Sequence, residues 1–172
     1  MLTQVRRIKA EDHDAINAIA RDLHPRWFTQ SALNDIGSAI RTDKGMVALA
    51  EEKIVGFATY KRIDTKTVEL TWIGVYSNFH RKGIGRALLN SIEEELRRED
   101  CEVIEVDTLA ATVDYEPYAR TRNFYHAVGF TDVRVEPSAY KSGDDKLLLR
   151  KQLRPDSDGA ALPNEINRFS SE

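Results

Sequence analysis

Residues 67–100 constrain the fold more than any other part of the chain, because a strand, a loop with two glycines and a long helix follow one another there. The run TVELTWIGV (67–75) is rich in residues that favour strands. The loop YSNFHRKGIG (76–85) leads into a segment with the apolar spacing of an amphipathic helix. The apolar residues of this helix recur every four positions: Ile84, Leu88, Ile92 and Leu96. A strand followed by such a helix predicts a sheet with helices packed against it.

Further strands and helices are predicted on both sides of this segment. The other predicted strands are residues 5–8, 46–52, 54–63, 101–106, 130–135 and 145–153, of which the second and third form a hairpin. The other predicted helices run from Asp12 or Asp14 to Pro25, from the N-cap Thr29 past Ile40, and from Tyr118 to Val128. Because both turns and helices join the strands, we expect a mixed sheet of the α/β or α+β class, flanked by helices.

Composition is that of one soluble globular domain. The chain has 172 residues, of which 41% are hydrophobic and 31% charged. It has no apolar run long enough to span a membrane and no signal peptide, so we expect a cytoplasmic protein. The net charge of −3 disfavours a nucleic-acid binder, and the single Cys101 excludes an internal disulfide. We expect residues 1–153 to form the domain and the polar residues 154–172 to form a tail or arm.

The loop before the long helix has the features of an anion site. Gly83 and Gly85 let the backbone approach a ligand, and the helix start offers unpaired N–H groups with partial positive charge. Arg81, Lys82 and Arg86 add full positive charges. The same glycines could merely form a sharp turn beside solvated cations. Three cations within six residues favour a phosphate or pyrophosphate ligand.

Two common phosphate motifs fit this loop poorly. The Gly-Lys-Ser/Thr end of a Walker A loop is absent. A dinucleotide fingerprint needs a third small residue and a first glycine close behind the strand, whereas Gly83 lies eight residues after Val75. Asp107, near the end of the next strand, is the one feature that favours NAD binding.

Two motifs together resemble the GCN5-related N-acetyltransferase (GNAT) family. The segment HRKGIG (80–85) is similar to the family motif Arg/Gln-x-x-Gly-x-Gly/Ala, which opens the third helix. The segment FYHAVGF (124–130) is similar to the family's FYxxxGF at the end of the fourth helix. Two residues depart from the family pattern. His80 stands at the first position of the glycine motif, which is usually Arg or Gln, and Tyr118 stands upstream of FYxxxGF at a position that is often Asn. The resemblance covers residues 3–153 and implies a mixed, mostly antiparallel, seven-stranded sheet flanked by about four helices.

The resemblance implies transfer of an acetyl group from acetyl-CoA to a primary amine by direct attack in a ternary complex. The family places the pantetheine arm along the fourth strand and the pyrophosphate on the glycine loop. The residues that this assigns to the cofactor are Ile73, Val75, His80, Arg81, Lys82, Gly83, Ile84, Gly85 and Arg86. A non-catalytic acyl-CoA-binding module of the same fold is the alternative.

Two residues match catalytic positions of the family. Tyr125 corresponds to a tyrosine that protonates the leaving thiolate, although a tyrosine beside Phe124 and Phe130 could also be a core residue. Glu69 corresponds to a general base in some members, with a pKa raised by burial; the alternatives are a surface ion pair and a water chain that removes the proton.

The acceptor amine is expected to meet aromatic and acidic residues. By analogy with the family, the acceptor-side candidates are Trp27, Phe28, Asp107, Asp114 and Tyr118, with one of the two adjacent aromatics in the core. The four histidines lack metal-ligand spacing, so no metal is expected. A homodimer is a candidate assembly because dimers are common in the family.

Overall fold

A computed structural model describes residues 3–153, which form a seven-stranded sheet and four α-helices. The strands are β1 (Thr3–Arg7), β2 (Lys44–Ala50), β3 (Lys53–Arg62), β4 (Thr67–Val75), β5 (Val103–Leu109), β6 (Thr131–Glu136) and β7 (Lys146–Gln152). The helices are α1 (His13–Asp22), α2 (Gln30–Thr42), α3 (Ile84–Arg98) and α4 (Glu116–Ala127). The sequence-based interpretation of the fold is therefore confirmed. The predicted arm, residues 154–172, lies outside the described residues.

The sheet has the strand order β1-β2-β3-β4-β5-β7-β6. All neighbouring strands pair antiparallel except β4 and β5, which are parallel because α3 crosses over between them. A doubly wound dinucleotide-binding sheet is mostly parallel. The mostly antiparallel sheet therefore rules out the Rossmann alternative that Asp107 had favoured.

Two hydrophobic cores hold helices on the two faces of the sheet. One core joins α1 and α2 to β2 and β3, with Ile16, Ile36 and Phe57 fully buried. The other joins α3 and α4 to most of the strands, with Leu88 and Ile104 at its centre. No helix among residues 3–153 is long and apolar enough to cross a membrane.

Local signals explain where most elements begin and end. The Thr29 side chain accepts a hydrogen bond from Ala32 N at 3.1 Å and caps α2 as predicted. Helix α4 begins at Glu116, two residues before its predicted start, because Pro117 suits a first helical turn. Strand β5 begins at Val103 rather than Cys101, since the buried Cys101 closes the turn after α3 through its N–H to Leu96 O at 3.0 Å.

Candidate active site

Strands β4 and β5 separate part of the way along the sheet. They pair only from Thr67–Leu70 on β4 to Val103–Val106 on β5, and both strands continue beyond the last pair. We call the gap between their free ends the β4–β5 cleft. A sheet edge inside a domain carries unpaired N–H and C=O groups, so an extended ligand can bind there as an added strand.

The polar backbone groups of Ile73 and Val75 point into this cleft. Tyr76 N donates to Val55 O at 3.0 Å, and Val75 lies opposite Gly56 on β3. Val75 therefore occupies a non-hydrogen-bonded position of the β3–β4 ladder, where N–H and C=O point away from the partner strand. Ile73, two residues earlier, has the same orientation.

The glycine loop lies at the N-terminus of α3. Gly83 adopts φ +78° with no atom within 4 Å of where a Cβ would stand, so its conformation and not crowding requires glycine. Arg81, Lys82 and Arg86 are exposed, and none of them pairs with a carboxylate among residues 3–153. The loop therefore combines helix N–H groups with unneutralised positive charge, as an anion site requires.

The two sequence motifs touch each other in the structure. A Cβ added to Gly85 would lie 2.9 Å from Cζ of Phe124, which is closer than real Cβ contacts. Glycine in the first motif therefore lets α3 approach the phenylalanine of the second. This contact holds the start of α3 against α4, the helix that carries Tyr125.

Tyr125 lies in the core shared by α3 and α4. Its side chain packs between Phe124 and Phe130, with ring centroids 5.5 Å away in both cases, and the residue is 4% exposed. Burial raises the pKa of its phenol well above the ordinary value, and the neighbouring Tyr118 and Tyr140 raise it further. The hydroxyl donates no hydrogen bond to any group between residues 3 and 153. With its raised pKa, the phenol stays protonated at neutral pH.

The carboxylates of Glu69 and Asp107 line one open groove on the sheet face opposite Tyr125. Glu69 is not buried as expected: its side chain is 29% exposed and pairs with Lys61 at 3.6 Å, which is the surface ion pair considered as an alternative. Asp107 is the first β5 residue beyond the last β4 pair. Burial raises its pKa above the ordinary value, while Lys146 Nζ, 3.5 Å from Oδ2, opposes the rise.

Sequence reasoning missed the other charged residues of this groove. Lys146 bridges Asp107 and Glu136, with Nζ 2.9 Å from Glu136 Oε2. Arg150 pairs with Glu105 at 2.6 Å. These contacts depend on the register of β5, β6 and β7, and no local motif encodes that register. Only the alternation of charged residues along β5 and β7 hinted at a shared polar face.

The turn between α1 and α2 contacts the start of α4. Trp27 Nε1 donates to Pro117 O at 3.4 Å, and the Tyr118 hydroxyl donates to Trp27 O. The predicted acceptor residues Trp27 and Tyr118 are thus brought together, both half-buried. Phe28 is different: it is buried in the α1–α2 core, edge-to-face with Trp72, so of the two adjacent aromatics Phe28 is the core residue and not an acceptor-side one. Asp114 is exposed on the loop before α4.

Comparisons with known proteins agree with this architecture. The model of the acetyltransferase (GNAT) family matches residues 5–130. An uncharacterized N-acetyltransferase of Methanocaldococcus jannaschii is 24% identical over 92% of this chain and 96% of that protein. A crystal structure from Desulfovibrio desulfuricans, described as an acetyltransferase of the GNAT family, has 23% identity and a TM-score of 0.77 over 88% of this chain and 99% of its own.

A second solved structure matches with its ligand present. It is an aminoglycoside 6′-N-acetyltransferase in complex with coenzyme A, with 18% identity and a TM-score of 0.71 over 88% of this chain and 98% of its own. At such identities the solved structures establish the shared fold. The family model covers most of the chain and includes the glycine loop. The chain therefore belongs to the GNAT acetyltransferase family.

Proposed function

We propose that this protein transfers the acetyl group of acetyl-CoA to a primary amine by direct attack within a ternary complex. The observation that carries the proposal is the β4–β5 cleft with the glycine loop at the start of α3. A coenzyme A molecule has an extended amide-containing arm and an anionic pyrophosphate. The cleft offers a free strand edge for the amide-containing arm, and the glycine loop offers a helix N-terminus with cations for the pyrophosphate.

The cofactor contacts come mainly from backbone groups. N–H and C=O of Ile73 and Val75 bind the pantetheine amides in the manner of an added strand. The amides of residues 81–86 bind the pyrophosphate at the first turn of α3. Arg81, Lys82 and Arg86 add long-range attraction, because their side chains are exposed at the loop.

Acetyl transfer then requires two proton movements. The neutral amine nitrogen attacks the thioester carbonyl carbon, and the resulting oxyanion accepts a hydrogen bond from a β4 backbone amide in the cleft. The C–S bond breaks, and the thiolate sulfur takes a proton from the Tyr125 hydroxyl. The proton that the new amide nitrogen then loses restores the phenol through water, so the step balances. The raised pKa of Tyr125 keeps its phenol protonated at neutral pH, so a proton is present when the C–S bond breaks.

The groove beside the cleft supplies the acceptor side. Asp107 lies at the point where β4 and β5 part, so its carboxylate receives the substrate ammonium and takes up its proton, directly or through water. Glu69 lies one residue before the last β4–β5 pair and, held by Lys61, contributes negative charge to the same groove. On the side of α4, the acceptor site is bordered by Trp27, Tyr118 and Asp114.

Binding and turnover are tested separately. Acetyl-CoA and NAD are titrated by calorimetry, and thiol release is then followed over a panel of polyamines, amino acids, aminoglycosides and peptides. Acetyl-CoA binding with thiol release on at least one amine is expected. Absence of acetyl-CoA binding would overturn the proposal. Binding without thiol release on any amine would instead favour a non-catalytic acyl-CoA-binding module.

Tyr125→Phe tests the proton donor. Loss of a general acid lowers kcat by about 100-fold or more, while the acetyl-CoA Kd stays within about twofold of the unaltered protein. Tyr60→Phe is the matched control, since the Tyr60 hydroxyl donates to Glu95 at 3.0 Å in the core and has no part in the cleft. Full activity of Tyr125→Phe would remove Tyr125 as the acid.

A further inference from the structure

The side chain of His80 joins the glycine loop to the end of β4. Its Nε2 lies 2.7 Å from Val75 O. A carbonyl oxygen only accepts hydrogen bonds, so Nε2 carries the proton in this contact. His80 is half-buried and is the first residue of the HRKGIG segment. This hydrogen bond therefore fixes the position of the glycine loop relative to β4. The loop offers amides to an anion, and β4 borders the cleft.

The acceptor of this bond lies at the cleft edge. The C=O of Val75 points away from β3, as the hydrogen bond from Tyr76 N to Val55 O requires. His80 thus binds a backbone group of the same edge along which the pantetheine arm would lie. A carbonyl oxygen has two lone pairs, so Val75 O keeps one for a ligand amide.

Trp27 holds the imidazole from the other side. The two rings meet edge-to-face, with centroids 5.0 Å apart and planes 75° apart. Trp27 is itself fixed to the start of α4 by its bonds to Pro117 and Tyr118. Residues from the α1–α2 turn, the glycine loop and α4 therefore form one continuous set of contacts around the cleft.

We propose that His80 is a positioning residue for acetyl-CoA and that Trp27 keeps its ring in place, which couples the acceptor side to the cofactor loop. This inference rests on the proposed use of acetyl-CoA. The family motif usually has Arg or Gln at this position, and both end in an N–H donor that can replace the imidazole N–H. In this chain the imidazole combines that donor with an edge-to-face contact to Trp27.

Two substitutions separate the donor from the ring. His80→Leu removes the hydrogen bond, and the affinity for coenzyme A, measured by calorimetry, is expected to fall about 3- to 10-fold. His80→Gln retains a donor and is expected to bind within about twofold of the unaltered protein. The KM for acetyl-CoA rises with the Kd in His80→Leu while kcat at saturation is kept. Thermal melting of each variant confirms that it is folded.

A double-mutant cycle tests the role of Trp27. Where His80 is present, Trp27→Leu is expected to weaken coenzyme A binding about two- to threefold. In the His80→Leu background the same substitution is expected to cause no further loss of affinity. Trp72→Phe is the control, because Trp72 packs edge-to-face on Phe28 in the α1–α2 core, and within residues 3–153 no ring contact joins it to His80.

The outcomes separate this inference from the proposed function. Unchanged coenzyme A affinity in His80→Leu, or failure of His80→Gln to restore it, overturns the positioning role. Additive effects of the Trp27 and His80 substitutions overturn the coupling. Absence of coenzyme A binding by the unaltered protein would overturn the proposed function itself.

Discussion

Replacing Gly85 by alanine tests whether the two motifs depend on each other through one contact. The added Cβ would lie 2.9 Å and 3.1 Å from two ring carbons of Phe124, against 3.4 Å or more for ordinary contacts. Phe124 or α3 must therefore move by about 0.5 Å. Overpacking of this kind costs about 1–3 kcal/mol. Alanine gains up to about 1 kcal/mol over glycine in a helix, so with this full gain a net loss of about 0–2 kcal/mol in the free energy of unfolding is expected.

Urea denaturation of four proteins isolates the contact. The unaltered chain, Gly85→Ala, Phe124→Leu and the double variant form a cycle, and the smaller leucine should recover about 1 kcal/mol of the Gly85→Ala loss. Gly83→Ala is the matched control, because its φ of +78° costs alanine about 1–2 kcal/mol without any close neighbour. Phe124→Leu should not relieve that loss.

Two results would refute this reasoning. If the Gly85→Ala and Phe124→Leu effects add, the steric contact does not limit the approach of α3 to α4. If Gly85→Ala raises stability, the helix propensity of alanine outweighs the overlap, and glycine at this position serves the ligand and not the packing.

Two predictions use pH. Burial raises the pKa of Asp107, so ionising this carboxyl is less favourable in the folded protein than in the unfolded chain. Asp107→Asn should therefore equal or exceed the unaltered protein in stability at pH 7, while turnover drops. The difference should shrink as pH falls through the raised pKa and vanish below the ordinary pKa of aspartate; lower stability of the variant at pH 7 in urea denaturation would contradict this. Asp12 has a lowered pKa because Arg6 donates to it at 2.7 and 3.0 Å. Arg6→Gln should therefore lose stability at neutral pH, and urea denaturation across a pH series should show the gap closing as acid protonates Asp12; a gap independent of pH would disprove the assignment.

The local features of the fold were predictable because local chemistry encodes them. Strand β4 has the predicted bounds, 67–75, since β-forming residues end there at a loop with turn residues. Thr29 caps α2 as expected because its hydroxyl is suited to that position. Helix α4 ends close to its predicted end at Val128, because Gly129 adopts φ +100°, the left-handed conformation that commonly follows a helix.

The environment of the acidic candidates was not predictable, because it depends on residues far away in sequence. Lys61 and Lys146 reach Glu69 and Asp107 only after the strands align in one register. A β-strand pattern shows which residues share a face, and it leaves the neighbours across the sheet undetermined. The same limit applied to the choice between Trp27 and Phe28, because Phe28, between α1 and α2, packs on Trp72 of the distant strand β4.

The cleft itself follows from one irregularity in β4. The β3–β4 ladder pairs Tyr60 with Leu70 and Thr59 with Trp72, so Thr71 is an extra residue on β4. Before this bulge the even-numbered Leu70 packs on the α3 core, and after it the odd-numbered Ile73 and Val75 do, because one inserted residue exchanges the faces.

The bulge has a polar support. The Thr71 hydroxyl lies 2.7 Å from the buried Thr59 hydroxyl and donates to Asp43 at 2.9 Å, so the inserted residue leaves no unpaired side-chain group. A bulge bends its strand and increases the local twist. Since pairing with β5 ends at Leu70, immediately before the bulge, the bend accounts for the separation of the two strands. The residues that open the cofactor cleft are therefore Thr59, Thr71 and Asp43, none of which belongs to either sequence motif.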